Sequence, residues 1–235
     1  MYRKLFRIFG GAILCGAILI GSLLFIFTNE TNASKATDSK IKLNEKVKYT
    51  LIRGKATNGG SKISILHKFK DESEIKDFVS LANSKLTELS KEKDFDKTFI
   101  ATVTLKEPIS VQEFEDFVPK YEIDICDYKM RAFEEDGLRV TIMSKPKNGS
   151  LFNFERISED MDLNTIAGVI AFTCNVNKNN LDKLAEMKND NRVYVIDVDS
   201  YFIGNDVSKQ TGKNIEKVKA NDIYWYVEDY KLNEQ

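Results

Sequence analysis

The feature that most constrains this chain lies at its N-terminus. Arg3, Lys4 and Arg7 are followed by 21 residues, Ile8 to Thr28, that carry no charge. At 1.5 Å of rise per residue such a run makes a helix about 31 Å long, which matches the hydrocarbon core of a bilayer. Asn29, Glu30, Thr31 and Asn32 follow at once. Basic residues stay on the cytoplasmic side, so the pattern predicts a cytoplasmic stub over 1–7, a transmembrane helix over 8–28 and an extracytoplasmic remainder. A cleaved secretory signal is the competing reading. It calls for an apolar region of about 7–15 residues and a small-residue cleavage site. This run is longer, and Thr31-Asn32-Ala33 is a poor site. A lipoprotein reading of Cys15 fails because Leu14 stands where a small residue is needed.

The anchor gives the charge balance a direction. The chain holds 35 basic and 36 acidic residues and one His, for a net charge of −1. Three of the basic residues precede residue 8, which leaves 32 against 36 beyond it, a net of −4. That is not the basic surplus of a nucleic-acid binder, and no nucleic-acid partner is expected. With 42% hydrophobic and 11% aromatic residues the chain can build a core. One His and three Cys weigh against a His-centred catalytic site, a Cys/His zinc site and a disulfide-dense scaffold. The Lys/Asn/Ile-rich, Pro-poor composition reads as that of a low-GC bacterium, so the N-x-S/T triplets at Asn29, Asn32 and Asn148 carry no expectation of glycosylation.

Residues 29–45 lack apolar periodicity and read as a linker, so the extracytoplasmic domain is expected over 46–235. Val47, Tyr49 and Leu51 alternate before Asn58-Gly59-Gly60, and Ile63, Ile65, His67 and Phe69 alternate after it, which predicts a hairpin. Asp71 and Glu74 then open a helix to about Lys91, with Ile75, Phe78, Val79, Ala82, Leu86 and Leu89 on one stripe. Phe99 to Leu105 alternates as a strand. Pro108 ends it, and Ser110 and Glu113 form a capping box, with Ile109 and Phe114 at the staple positions. A second hairpin turns at Glu135-Asp136-Gly137. Residues 146–165 read as a loop and 166–176 as a strand. Leu181, Leu184, Ala185 and Met187 mark a short helix, ended by Asn189 or Asn191 in a left-handed conformation. Residues 193–198 form a central strand. The chain is then Lys- and Asn-rich until Asp222, and Ile223, Tyr226, Val227 and Tyr230 fall at the spacing of a short helix, with a terminal strand through Tyr224–Tyr226 as the alternative. The order over 97–203 is β-α-β-β-β-α-β. It predicts an α+β fold, a mainly antiparallel sheet with helices on one face and ferredoxin-like βαβ units.

Few residues point to chemistry. Asp160-Met161-Asp162-Leu163-Asn164 begins like a calcium loop, but Thr165 and Ala171 stand where Gly and Glu are required. Gly212-Lys213 lacks the upstream Gly of a phosphate loop. Neither a cofactor nor a metal is expected. His67, the only His, offers a pH sensor, and the ordinary alternative is a half-buried strand histidine bonded to the backbone. Asp197 and Asp199 close a strand, where the plain expectation is a solvated strand end. Cys126 and Cys174 fall in strands that a ferredoxin-like order can set side by side, either as a disulfide or as two free thiols. Tyr224-Trp225-Tyr226 and Tyr230 offer a contact surface or a helix docked by its aromatics.

Residues 98–118 (TFIATVTLKEPISVQEFEDFV) and 166–198 (IAGVIAFTCNVNKNNLDKLAEMKNDNRVYVIDV) carry a resemblance. They resemble the opening and closing segments of the extracytoplasmic C-terminal domain of bacterial membrane-bound sigma-factor regulators. The second is also similar to subtilase propeptides and their inhibitor relatives. The resemblance implies fold and location and assigns no functional residue. A seven-residue stub is too short to hold a sigma factor, and no protease domain follows. The expectation is therefore a non-catalytic, membrane-anchored binding or sensing domain with a protein partner in the envelope. The alternatives are an inhibitor or chaperone of an envelope protease, which would present the tail from Lys231 to Gln235, and a carboxylate-dependent envelope hydrolase.

Overall fold

The computed structural model describes residues 49–55, 61–92, 97–134, 136–152, 154, 157, 162–212 and 215–234. The expected stub, transmembrane helix and linker (1–7, 8–28 and 29–45) lie outside them, as does the turn Asn58-Gly59-Gly60. Among the described residues no helix is long and apolar enough to cross a membrane.

The expected α+β class holds, with an antiparallel main sheet. Strand β1 (Tyr49–Lys55) pairs antiparallel with β2 (Ser61–His67), as the alternation predicts. Helix α1 (Glu72–Leu89) is capped by the Asp71 side chain, which accepts from the Glu74 N–H. Strand β3 (Phe99–Ile109) leads into α2 (Val111–Lys120) through the predicted capping box: Ser110 Oγ accepts from Glu113 N at 3.2 Å, and Glu113 Oε2 accepts from Ser110 N at 2.8 Å. Strands β4 (Asp124–Phe133) and β5 (Arg139–Ser144) form the second hairpin. Strand β6 (Ile166–Val176), helix α3 (Leu181–Met187) and strand β7 (Val193–Asp197) follow. Five strands make the main sheet, in the order β5-β4-β6-β3-β7. Gly168 lies at φ 141°, and a Cβ there would collide with the Ile109 carbonyl, so only glycine lets β6 pass β3 at this bulge.

One face of this sheet is apolar. Ala101, Val103, Leu105, Tyr128, Met130, Phe172 and Cys174 meet Phe114 and Phe117 of α2 and Leu184 and Met187 of α3 in the largest core. The other face corrects the expectation of helices on one side only. After β7 the chain forms a helix, α4 (Asp199–Thr211), then β8 (Ile215–Ala220) and α5 (Tyr224–Asp229). Strand β8 joins β2 in parallel, making a small sheet in the order β1-β2-β8. Residues 220–228 cross the polar face of the main sheet. Thr102 Oγ1 donates to Ala220 O at 2.7 Å, and Thr104 Oγ1 accepts from Ile223 N. Three alternate residues of β4 each find an opposite charge there: Asp127 with Lys219 at 2.8 Å, Lys129 with Asp222 at 2.6 Å and Arg131 with Glu228 at 2.7 Å. A polar strand face reads as solvent-facing in the sequence. Here it is the seat of the C-terminal segment.

The end of α3 also differs. Neither Asn189 nor Asn191 is among the residues of positive φ. Asp190 closes the turn instead, accepting from Arg192 Nε and Nη2 at 2.9 and 2.8 Å and from the Tyr121 hydroxyl at 2.8 Å.

Candidate functional site

Four ionisable side chains from three separate stretches of chain meet between the two sheets. His67 ends β2, Lys85 lies on α1, and Asp197 and Asp199 flank the junction of β7 and α4. His67 Nε2 donates to Asp197 Oδ2 at 2.8 Å and lies 3.8 Å from Asp199 Oδ2. The other oxygen of each carboxylate is also engaged. Asp197 Oδ1 accepts from the Asp199 N–H at 2.7 Å, the Asx turn that starts α4. Asp199 Oδ1 accepts from Lys85 Nζ at 2.6 Å.

The local sequence explains each placement. His67 follows Ile63 and Ile65 on the face of β2 that packs on Ile203 and Val207 of α4, so the alternation carries it inward. Lys85 falls three residues after Ala82 and seven after Phe78, on the buried stripe of α1. Asp199 sits in the first turn of α4, where a carboxylate is favoured by the helix dipole.

Burial is nearly complete. The side chain of His67 is 1% exposed and those of Asp197 and Asp199 4%. This corrects two expectations: Asp197 and Asp199 are not a solvated strand end, and the partner of His67 is a carboxylate, not the backbone. The imidazole packs on Phe78, 4.4 Å between ring centroids, and on Phe69 at 6.1 Å. Its Nδ1 is buried with no hydrogen-bond partner. Burial alone lowers the pKa of His67. The hydrogen bond and charge of Asp197, with the charge of Asp199, outweigh that and the opposing charge of Lys85, so the pKa is raised.

The chemistry follows from charge. Counted over these four side chains, a neutral imidazole leaves one net negative charge in a low-dielectric interior, and an imidazolium leaves none. His67 Nε2 and a carboxylate oxygen of each Asp lie within 4.8 Å of one another, a spacing that suits a small cation. The Lys85 ammonium and the imidazole proton already supply positive charge there. The cluster can carry a proton on side chains that are almost wholly buried.

The other candidate residues separate. An open cleft of about 660 Å³ lies between α4, β8 and the starts of β3 and β4. Its walls include Lys97, Lys217, Asn175, Ser200, Asn205 and Cys126, and no carboxylate among the described residues. Cys126 and Cys174 lie on adjacent strands as free thiols. Burial raises both pKa values, so neither is an activated thiolate. Within the tail that the inhibitor reading would present, Leu232 is buried with Ile223 and Val227, whereas Lys231 is exposed. Tyr224 and Val227 are buried in α5, whereas Trp225 is half-exposed and lies over Arg131 and Arg139, its ring centroid 4.3 and 4.8 Å from their guanidinium carbons. Of the calcium-like stretch, Asp160 and Met161 lie outside the described residues.

Lys85 was the residue hardest to find. A charged side chain at a 3.6-period core position was the available signal, since a stray lysine on an apolar stripe needs a buried partner. Comparisons with family models, with curated proteins and with solved structures return no match to this chain.

Proposed function

We propose that the chain is a single-pass membrane protein whose residues from about 30 onward lie outside the cytoplasm and form a non-catalytic binding and sensing domain with a protein partner in the envelope. The uncharged run from Ile8 to Thr28, with Arg3, Lys4 and Arg7 before it, supports the topology. The observation that carries the sensing role is the buried cluster. Its titratable groups are turned on one another between two sheets, His67 on Asp197 and Lys85 on Asp199, an arrangement suited to responding to protons. The strand order β4-β6-β3-β7, with α2 and α3 as crossovers, follows the ferredoxin-like plan, with β5 added at one edge. That arrangement supports the likeness to the extracytoplasmic domains of membrane-bound sigma-factor regulators at the level of fold.

Topology is the testable core. Alkaline phosphatase fused after Gln235 folds only outside the cytoplasm, and green fluorescent protein folds inside it. The expected result is an active phosphatase fusion in the membrane fraction and a dark fluorescent one. A bright fluorescent fusion with an inactive phosphatase overturns the proposal, and an active phosphatase in the soluble envelope fraction restores the cleaved signal.

A further inference from the structure

The cluster sits at a mechanical junction. The β1–β2 hairpin is the first described element after the expected linker, and His67 is its last residue. What faces His67 comes from every neighbouring element. Tyr49 of β1 is its cross-strand partner. Phe69 follows on its own chain, and α1 brings Phe78 and Lys85. The end of β7 and the start of α4 bring Asp197 and Asp199. His67 is thus a polar tie between the hairpin and the main sheet, beside the apolar contact of Ile63 and Ile65 with α4 and the pairing of β2 with β8, beyond which the Asn221 N–H donates to Ile65 O at 2.9 Å.

We propose that His67 is a proton-operated latch: with its imidazole protonated it clamps the β1–β2 hairpin onto the β7–α4 junction, and loss of that proton loosens the hairpin where the chain leads to the membrane.

The position of the mobile proton makes titration and movement one event. Nε2 holds its proton against Asp197, so the proton that comes and goes belongs to Nδ1. That atom is buried and unpartnered beside Phe69 and Phe78. Solvent reaches it when the end of β2 lifts from the junction. While the latch is closed, the imidazolium faces two carboxylates and the ring of Phe78, which all favour a cation. Once open, His67 has an ordinary imidazole's affinity for protons. By linkage, raising pH therefore favours the open form. The pKa supports this sense, being raised in the closed structure. A divalent cation at the same three atoms would have only three protein donors and would leave one net positive charge beside Lys85, whereas a proton balances the four side chains.

The latch stands on the described side chains. Its coupling to a bilayer rests on the proposed anchor, and the two can fail separately. The test uses the full chain, purified without a histidine tag and reconstituted in phosphatidylcholine nanodiscs. With one His in the chain, [13Cε1]-histidine labelling gives a single imidazole resonance to titrate. Hydrogen exchange read by mass spectrometry, corrected for the intrinsic pH dependence, reports protection of 49–55 and 61–67 against 99–105 and 169–176. Hairpin protection is expected to fall as the imidazole loses its proton, by about tenfold for each unit by which the closed-state pKa exceeds the ordinary value, with the main sheet unchanged. In H67Q the step is expected to vanish. Hairpin protection that stays flat through the imidazole titration overturns the latch, as does a step of equal size in H67Q. The wild-type titration decides the matter even where H67Q does not fold. A clear step from a chain that fails to float with liposomes keeps the latch and overturns the anchor.

Discussion

Two buried basic side chains tie peripheral segments to the main sheet, and they are built differently. Arg131 holds the C-terminal segment. Its Nε and Nη2 donate to Glu228 at 3.2 and 2.7 Å, and its Nη1 donates to Thr141 Oγ1 at 2.7 Å. Its guanidinium lies under Trp225, and Arg139 shares Glu228 at 2.9 Å. His67 holds the hairpin with one short bond and one unpartnered nitrogen. A guanidinium keeps its charge at any pH a folded protein meets, and its fork fits a carboxylate at two points. An imidazole can surrender its charge near neutrality. The C-terminal clasp is therefore permanent and the hairpin clasp conditional. The proposed sensing role needs both: a fixed body and one joint that gives.

The strongest way to break this contrast is to make the permanent clasp fail. In R131A, Glu228 is left with Arg139 as its one remaining cation, and Trp225 loses the nearer of the two guanidiniums at its ring. Removing one partner of a buried pair costs about 3–5 kcal/mol, so urea unfolding followed by circular dichroism is expected to shift by that amount, equally at pH 5.5 and pH 8.5. The double variant R131M/E228L removes both charges and is expected to recover most of the loss, since an apolar replacement of a buried pair is often near neutral. A loss in R131A that changes with pH would show that the two clasps are not independent.

A smaller change separates charge from shape at the conditional clasp. In D197N the amide oxygen can still accept from the Asp199 N–H, so the start of α4 survives, but the nearer of the two carboxylate charges facing His67 is gone and only that of Asp199, at 3.8 Å, remains. Loss of a charge-assisted buried hydrogen bond costs about 1.5–3 kcal/mol. The expected result is a fall of that size in unfolding free energy at pH 6, a smaller fall at pH 9 and a lower His67 pKa by NMR. An equal loss at both pH values would mean that Asp197 acts through geometry alone, and the distinction between the clasps would blur.

The local grammar of this fold was legible, and its long-range chemistry was not. Ser110 and Glu113 announce α2 because both capping partners lie within four residues of each other, and both bonds form. The hairpins were legible for the same reason: register follows from short alternating runs on either side of a turn. Helix α4 carries no clear apolar stripe, because Ile203 and Val207 are its only fully buried apolar side chains among the described residues and its opening carboxylate, Asp199, faces inward. Strand β8 reads as a charged, solvated stretch, because Lys219, which binds Asp127 of the main sheet, looks in the sequence like any surface lysine. The candidate site was half visible. His67, Asp197 and Asp199 were each noticed, but 130 residues separate His67 from Asp197. Periodicity sets which face a residue takes and is silent on which distant segment will cover that face.

The smallest effect tests the comparison from the acid side. Asp190 is the mirror of His67: a carboxylate held by Arg192 first, then by Tyr121 and Lys120, with its pKa well below the ordinary carboxyl range. The sign is opposite in the two cases. The unfolded chain protonates Asp190 before the folded chain does, so this contribution is complete above the unfolded carboxyl pKa and is lost as pH falls below it. The contribution of His67 is complete below the unfolded imidazole pKa and is lost as pH rises through the higher folded one. D190N should cost about 1–2 kcal/mol at neutral pH and flatten the acid limb of urea-unfolding free energy between pH 5 and pH 3, leaving the alkaline limb untouched. H67Q should do the reverse. Because Asp190 clamps α2 to the turn before β7, within the main core, its loss should leave the exchange protection of the hairpin unchanged relative to the rest. If D190N loosened the hairpin as much as the core, the two sheets would unfold as one body, and the hairpin would have no conditional joint of its own.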